Sequence, residues 1–224
     1  TMDRDHVPTT LPLLEAGYHV LLEKPICPTR EELLELLTTV RSTGRILNIG
    51  HVLRYAPFYA TIKQRVMAGD IGEIYAIHTC EAVSYHHMAA AFVRGKWRLR
   101  STNPMLLAKC CHDLDLIAWF KSGVAPTTVA SMGARTVFRE ENAPEGSGTR
   151  CLVDCAIEDR CPYSARKNYL EQKLWGTYVW ESIEHLEEPT DEDRERSLRE
   201  DNPYGRCVYR TDGDVVDHQS VLIL

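Results

Sequence analysis

Along the first fifty residues, apolar positions alternate between helical spacing and short continuous runs. Thr10 is placed to cap a helix with Pro12 in its first turn, and Gly17 to end it. Tyr18–Leu22 reads as a short buried strand, broken by Glu23-Lys24-Pro25. Leu33, Leu36, Leu37 and Val40 form an apolar stripe at helical spacing, opened by a Thr29/Glu32 capping box and closed at Gly44. Ile46–Ile49 is the next strand. Helix–strand–helix–strand with short connections is half of a doubly wound parallel sheet. Beyond residue 52 the pattern changes. A helix is predicted from Pro57 to Gly69, a long strand over Ile74–Val83, and an irregular polar stretch over 85–103. A helix follows over Met105–Phe120, then a strand over Thr127–Val137, a loop over 139–150 and a helix around Ala165–Leu170. A charged helix or loop is expected over 187–201, and two strands joined by Asp212-Gly213-Asp214 close the chain. This second part reads as α+β with a mostly antiparallel open sheet.

Composition narrows the class. The 224 residues are 44% hydrophobic and 26% charged, an ordinary globular balance. A formal net charge of −6 argues against a nucleic-acid partner and against docking on anionic lipid. No apolar run reaches the ~18 residues of a membrane span, and no secretory leader is seen, so a cytoplasmic protein with reduced thiols is expected. The chain opens on Thr1 and closes on the strand-like Ser220–Leu224, which reads as a fragment of a longer protein, truncated at both ends.

Two groups carry candidate chemistry. Lys24 follows a parallel strand, and open α/β sheets bind ligands outside the carboxyl ends of their strands; a lysine there can exchange a proton with a substrate hydroxyl. His112 and Asp115 are i, i+3 neighbours on the predicted Met105–Phe120 helix, so the carboxylate can orient the imidazole and leave its other nitrogen as acid or base. Lys109 lies one turn earlier. A third group, Cys151, Cys155 and Cys161, is compatible with structural zinc, with Cys110, Cys111, Cys207 or a His as the fourth ligand, or with plain free thiols.

Glu15–Leu22 running into Glu23-Lys24-Pro25, with Leu106–Leu116 further on, resembles the Gfo/Idh/MocA family of glucose–fructose oxidoreductase and inositol dehydrogenase relatives. The resemblance is strong over residues 1–55 and 104–120 and weak after about 150. It implies that residues 1–51 are the C-terminal part of a Rossmann NAD(P)-binding domain and that 52–224 form an incomplete α+β substrate domain. It further implies NAD- or NADP-dependent oxidation of a sugar, cyclitol or polyol, in a homo-oligomer built through the substrate-domain sheet. Lys24 and His112 would flank the reacting carbon with Lys109 and Asp115 in support. Thr1, His6, Glu23, Lys24 and Pro25 would line the cofactor, and His51, Arg54 and Tyr55 would face the substrate, or pack at the domain junction. Two departures stand out. No G-x-G-x-x-G occurs, and Ala108 occupies the place where the family usually carries an Asp four residues before its catalytic His. The expected consequences are weak dinucleotide binding by this chain alone and three alternatives to simple dehydrogenation: NAD-dependent glycoside cleavage through transient sugar oxidation, a non-catalytic binding descendant, and a zinc-stabilised interaction domain.

Overall fold

The computed structural model describes residues 2–224. In chain order its helices and strands are α1 (His6–Glu15), β1 (Val20–Leu22), α2 (Arg30–Thr43), β2 (Leu47–Ile49), α3 (Pro57–Ala68), α4 (Tyr85–His87), α5 (Met105–Ala108), α6 (Cys111–Phe120), β3 (Val129–Ala134), α7 (Gly176–Val179), α8 (Asp191–Arg199) and β4 (His218–Ile223). Contacts divide the chain into two units. The first comprises residues 1–81, 102–129 and 223–224; the second comprises 82–101 and 130–222. The 51/52 boundary drawn from the sequence falls inside the first unit.

In the first unit β1 and β2 pair in parallel, with Val20 opposite Leu47, Leu21 opposite Asn48 and Leu22 opposite Ile49. A parallel pair needs a crossover, which α2 supplies. The helix starts where the side chain of Thr29 accepts from the Glu32 N–H and Glu32 answers to the Thr29 N–H, and it stops at Gly44 in the left-handed conformation. Its stripe packs with α1 over the strands, so that Val7, Leu14, Leu22, Cys27 and Leu36 form one buried cluster. Helix α1 starts five residues earlier than the sequence suggested, with Asp5 rather than Thr10 at its cap position. Thr10 lies inside it and is buried, not a cap. Pro8 sits in the first turn, where a missing N–H costs nothing, and burial of Val7 and Leu14 seven residues apart settles the frame.

Three further expectations are corrected. The Ile74–Val83 strand does not form among the described residues. Strands are defined by a ladder, and no described strand lies beside this stretch, whose Tyr75 is exposed. The Met105–Phe120 helix is two helices, broken at Lys109-Cys110. The predicted strand over Thr127–Val137 contracts to β3, which pairs with β4 through bonds such as Leu224 N–H to Thr128 O (2.9 Å) and Asp217 N–H to Ala134 O (3.0 Å), an antiparallel pair.

The second unit departs most from its reading. Residues 85–103 are not an irregular polar stretch throughout: Met88–Arg94 form a π-helical segment in which all seven residues are buried. Gly95 ends it, because a Cβ there would stand 2.3 Å from the Ala90 carbonyl oxygen. Around it, Ala90, Leu152, Ala165, Tyr169, Val179, Leu198 and Tyr204 make the core. The helix expected near Ala165–Leu170 is present as a second π-helical turn, Arg166–Glu171, and the charged segment folds as α8 behind a Thr190/Asp193 capping box. The strand predicted before Asp212 is instead a short 3-10 turn, Val208–Arg210. Arg98 and Arg206 bind the Asp212 carboxylate from the side, which ties the segment down without a ladder.

Candidate active site

The first unit gathers most of the predicted residues. Parallel pairing puts Glu23-Lys24-Pro25 at the carboxyl end of β1, and the Lys24–Pro25 peptide is cis. His6, buried in α1, bonds through Nδ1 to the Pro25 carbonyl at 2.7 Å. It thereby ties α1 to the segment that carries Lys24. Lys24 Nζ donates to the Ala108 carbonyl at 3.1 Å, at the break between α5 and α6. The departure at Ala108 thus matters through its backbone: the end of the short helix presents a free carbonyl, and the lysine takes it.

His112 stands in the first turn of α6, its ring centroid 6.1 Å from that of His51. Its Nδ1 is buried and has no hydrogen-bond partner. Burial pushes its pKa below the ordinary histidine value, and the positive charges of Lys24, His51 and Lys109 push it further the same way. At neutral pH this imidazole is uncharged and able to accept a proton.

Asp115 does not orient His112. Its carboxylate is held in a fork by Arg54, with Nε to Oδ2 at 2.7 Å and Nη2 to Oδ1 at 2.6 Å, and by His51 Nδ1 at 2.9 Å. An i, i+3 spacing makes the contact possible, but a bidentate guanidinium binds a carboxylate more strongly than one imidazole does. Arg54 and His51 are thereby fixed beside the site, whereas Tyr55 is largely exposed. Thr1 lies outside the described residues.

Two residues escaped the sequence reading. Glu81 meets Lys109, Oε1 to Nζ at 3.5 Å. Asp113 turns a buried, unpartnered Oδ2 inward, and burial followed by the charge of Glu81 raises its pKa. A carboxylate 28 positions before Lys109 leaves no local signal. Asp113 was visible only as part of the His112 motif. The neighbouring thiols are held toward the protonated form: burial, then Asp113, lifts Cys110 to about 11, and burial raises Cys111 as well.

Cys151, Cys155 and Cys161 lie in the second unit, where with Cys207 they line one small cavity. Cys110 and Cys111 belong to the first unit. All eight cysteines are free, and among the described residues no group of three or more His, Cys, Asp and Glu side chains already stands in metal-holding geometry. No described helix is long and apolar enough to cross a membrane.

The first unit thus carries a parallel α/β layer with a lysine at the carboxyl edge of β1 and a histidine of lowered pKa in α6. The comparisons narrow this. The profile described as "Oxidoreductase family, NAD-binding Rossmann fold" matches residues 1–51, so this segment is similar to the Gfo/Idh/MocA family. Inositol 2-dehydrogenase 4 of Saccharopolyspora erythraea is 28% identical over 154 residues, which cover 68% of this chain and 41% of that protein. The 1,5-anhydro-D-fructose reductase of Ensifer adhaerens is 34% identical over 120 residues, 52% of this chain and 34% of the reductase. Among solved structures, an inositol dehydrogenase homolog from Azotobacter vinelandii, complexed with NADH and myo-inositol, matches with a TM-score of 0.53 at 26% identity, over 64% of this chain and 37% of that one. The chain spans about two fifths of the length of the first curated relatives it matches.

Proposed function

We propose that the protein is an NAD-dependent oxidoreductase acting on a CH–OH group of a cyclitol, sugar or related polyol. The observation that carries this reading is the buried, unpartnered Nδ1 of a neutral His112 beside Lys24 at the carboxyl end of a parallel strand. The residues present fit the nicotinamide end of a dinucleotide: a cation and a proton acceptor stand at the strand edge. They offer no glycine-rich turn for a pyrophosphate. The profile matched by residues 1–51 is that of an NAD-binding Rossmann fold, which supports NAD as the dinucleotide. When bound, the nicotinamide supplies the hydride acceptor.

Within that frame the neutral imidazole of His112 takes the hydroxyl proton at Nε2, the ring nitrogen that is not enclosed, as the carbon loses hydride. Lys24 places positive charge where the alkoxide develops and keeps His112 neutral until then. His51 and Arg54, fixed by Asp115, form the substrate-facing wall and offer donors to further hydroxyls. Lys109 and Glu81 form a second polar pair at the place where the family's usual Asp is absent. Residues 1–51 act as the C-terminal part of the nucleotide domain and 52–224 as part of the substrate domain.

The raised pKa of Asp113 favours one alternative, glycoside cleavage through transient oxidation, since elimination needs an additional acid or base. Product analysis separates the two: a released aglycone against a keto-polyol. Exposed Val129, Met132 and Leu222 on β3 and β4 support a homo-oligomer through this sheet, and eight free thiols support the cytoplasm. The test is His112→Ala and Lys24→Ala in the whole protein. Each is expected to lower kcat by about 10²–10⁴-fold with the fold intact, and near-normal turnover in either variant removes the assignment.

A further inference from the structure

Outside the site, the second unit assembles half of the chain's eight thiols around one cavity. Their positions are set by backbone. Arg150 and Arg206 form an isolated antiparallel bridge, with Cys151 N–H to Gly205 O at 2.9 Å and Cys207 N–H to Thr149 O at 2.8 Å. By strand alternation Cys151 and Cys207 fall on the same face, away from the two arginines. The Asp154 carboxylate accepts from the N–H groups of Thr149 and Arg150, which folds the next residue, Cys155, back toward Cys151. A 3-10 turn over Glu158–Arg160 returns Cys161 to the same cavity.

Two further observations concern the polar groups around this cavity. Arg94 is about 1% exposed, yet the partners of its guanidinium are all formally neutral: Cys151 Sγ (3.2 Å), Tyr169 Oη (3.1 Å), Tyr163 O (2.9 Å) and Arg206 O (2.7 Å). A buried cation without a counter-charge is costly, and buried charges are normally paired. The Ser147 hydroxyl, on the same cavity, is buried with no partner.

We infer that Cys151, Cys155, Cys161 and Cys207 form a four-thiolate site for a single zinc ion, with Arg94 as the hydrogen-bonding counter-charge in its outer shell. Four thiolates are the donor set of a closed, structural tetrahedral site. Binding releases four thiol protons and leaves the Zn(Cys)4 group at −2, beside which the Arg94 guanidinium finds the anion it otherwise lacks. The cavity, about 20 Å³, holds one water-sized body and so suits one ion rather than an iron–sulfur cluster. The sulfurs do not yet stand in coordinating positions, so their side chains must turn inward around the ion. A loop-rich unit gains from such a staple. The site is independent of the oxidoreductase reading.

Metal analysis of the protein, expressed with added zinc and purified under reducing conditions, tests this. About one zinc per chain is expected in the wild type and in Cys80→Ser, an exposed thiol elsewhere, with near-complete loss in Cys155→Ser and Cys207→Ser. If those variants fail to fold, cobalt(II) added to chelator-stripped wild-type protein must give sulfur-to-cobalt charge-transfer absorption with tetrahedral d–d bands. Below about 0.1 zinc per chain without a cobalt–thiolate spectrum, retention of zinc by both serine variants, or an iron–sulfur chromophore would each overturn the inference.

Discussion

The α1–β1–α2–β2 layer and the segment from 143 to 217 bury their interiors in different ways. The layer packs leucines, valines and isoleucines from regular elements, whose backbone groups satisfy one another. The later segment has little regular structure, and side chains do that work instead. Arg150 donates to the Leu198 and Asn202 carbonyls, and Asn202 Nδ2 to Val179 O, Ser182 Oγ and Ser197 Oγ, while its Oδ1 accepts from Tyr204 N–H. The chain passes so closely there that a Cβ on Gly205 would lie 1.9 Å from the Leu198 carbonyl oxygen. An interior without ladders is possible when long polar side chains reach the orphaned carbonyls.

The sharpest way to break this contrast is to delete one keystone from each region. Leu36→Ala should cost about 2–5 kcal/mol in denaturant unfolding, as a buried methyl-rich side chain leaves a cavity. Asn202→Ala deletes no comparable apolar volume, yet it strands several buried partners, each costing roughly 1–3 kcal/mol, so a loss of similar size is expected. A cost for Asn202→Ala below about 1 kcal/mol would show that the second region does not depend on its polar ties.

Acid should separate the regions next. Burial would raise the Asp217 carboxyl, but hydrogen bonds from His218 and from the Thr136, Val137 and Phe138 N–H groups outweigh it and hold it below the usual range. Arg98, then Arg206, holds Asp212 well below that range. Carboxyls with lowered native pKa stabilise the fold above about pH 4 and lose that contribution as the pH falls through their native values. His112 titrates higher. Its native pKa lies below its unfolded one, so its contribution is complete above about pH 6.5 and is lost as the pH falls from there toward the native pKa. Stability followed from pH 7.5 to 3 should fall in two steps. His112→Gln should abolish the upper step, and Asp217→Asn should shrink the lower one, to which Asp212 also contributes. An upper step that survives in His112→Gln would remove the imidazole from this account.

The smallest effect sharpens the comparison where the regions are alike. Both contain a helix with a complete capping box, at Thr29 and at Thr190. Thr29→Ala and Thr190→Ala should each cost about 1 kcal/mol by chemical denaturation. Clearly unequal costs would show that one helix is held by its surroundings and not by its cap.

What the sequence determined by itself is local or periodic. It determined α2 with both ends, the α3 start at Pro57 and its stop at Gly69, the strand–helix alternation before residue 51, and Lys24 at a strand end. In each case the signal and its structural partner lie within about one element, so near neighbours carry the physics. The tertiary structure decided the rest. It broke the helix at Lys109-Cys110 and let the Ala108 carbonyl receive Lys24. It assigned Asp115 to Arg54 instead of His112, and it brought Glu81 to Lys109 across 28 residues. It also buried Met88–Arg94, an apolar run with neither helical nor strand alternation, and set Cys207 beside three cysteines some fifty residues earlier. A side chain's partner is chosen by competition among all groups that folding brings within reach, and spacing along the chain does not encode that competition.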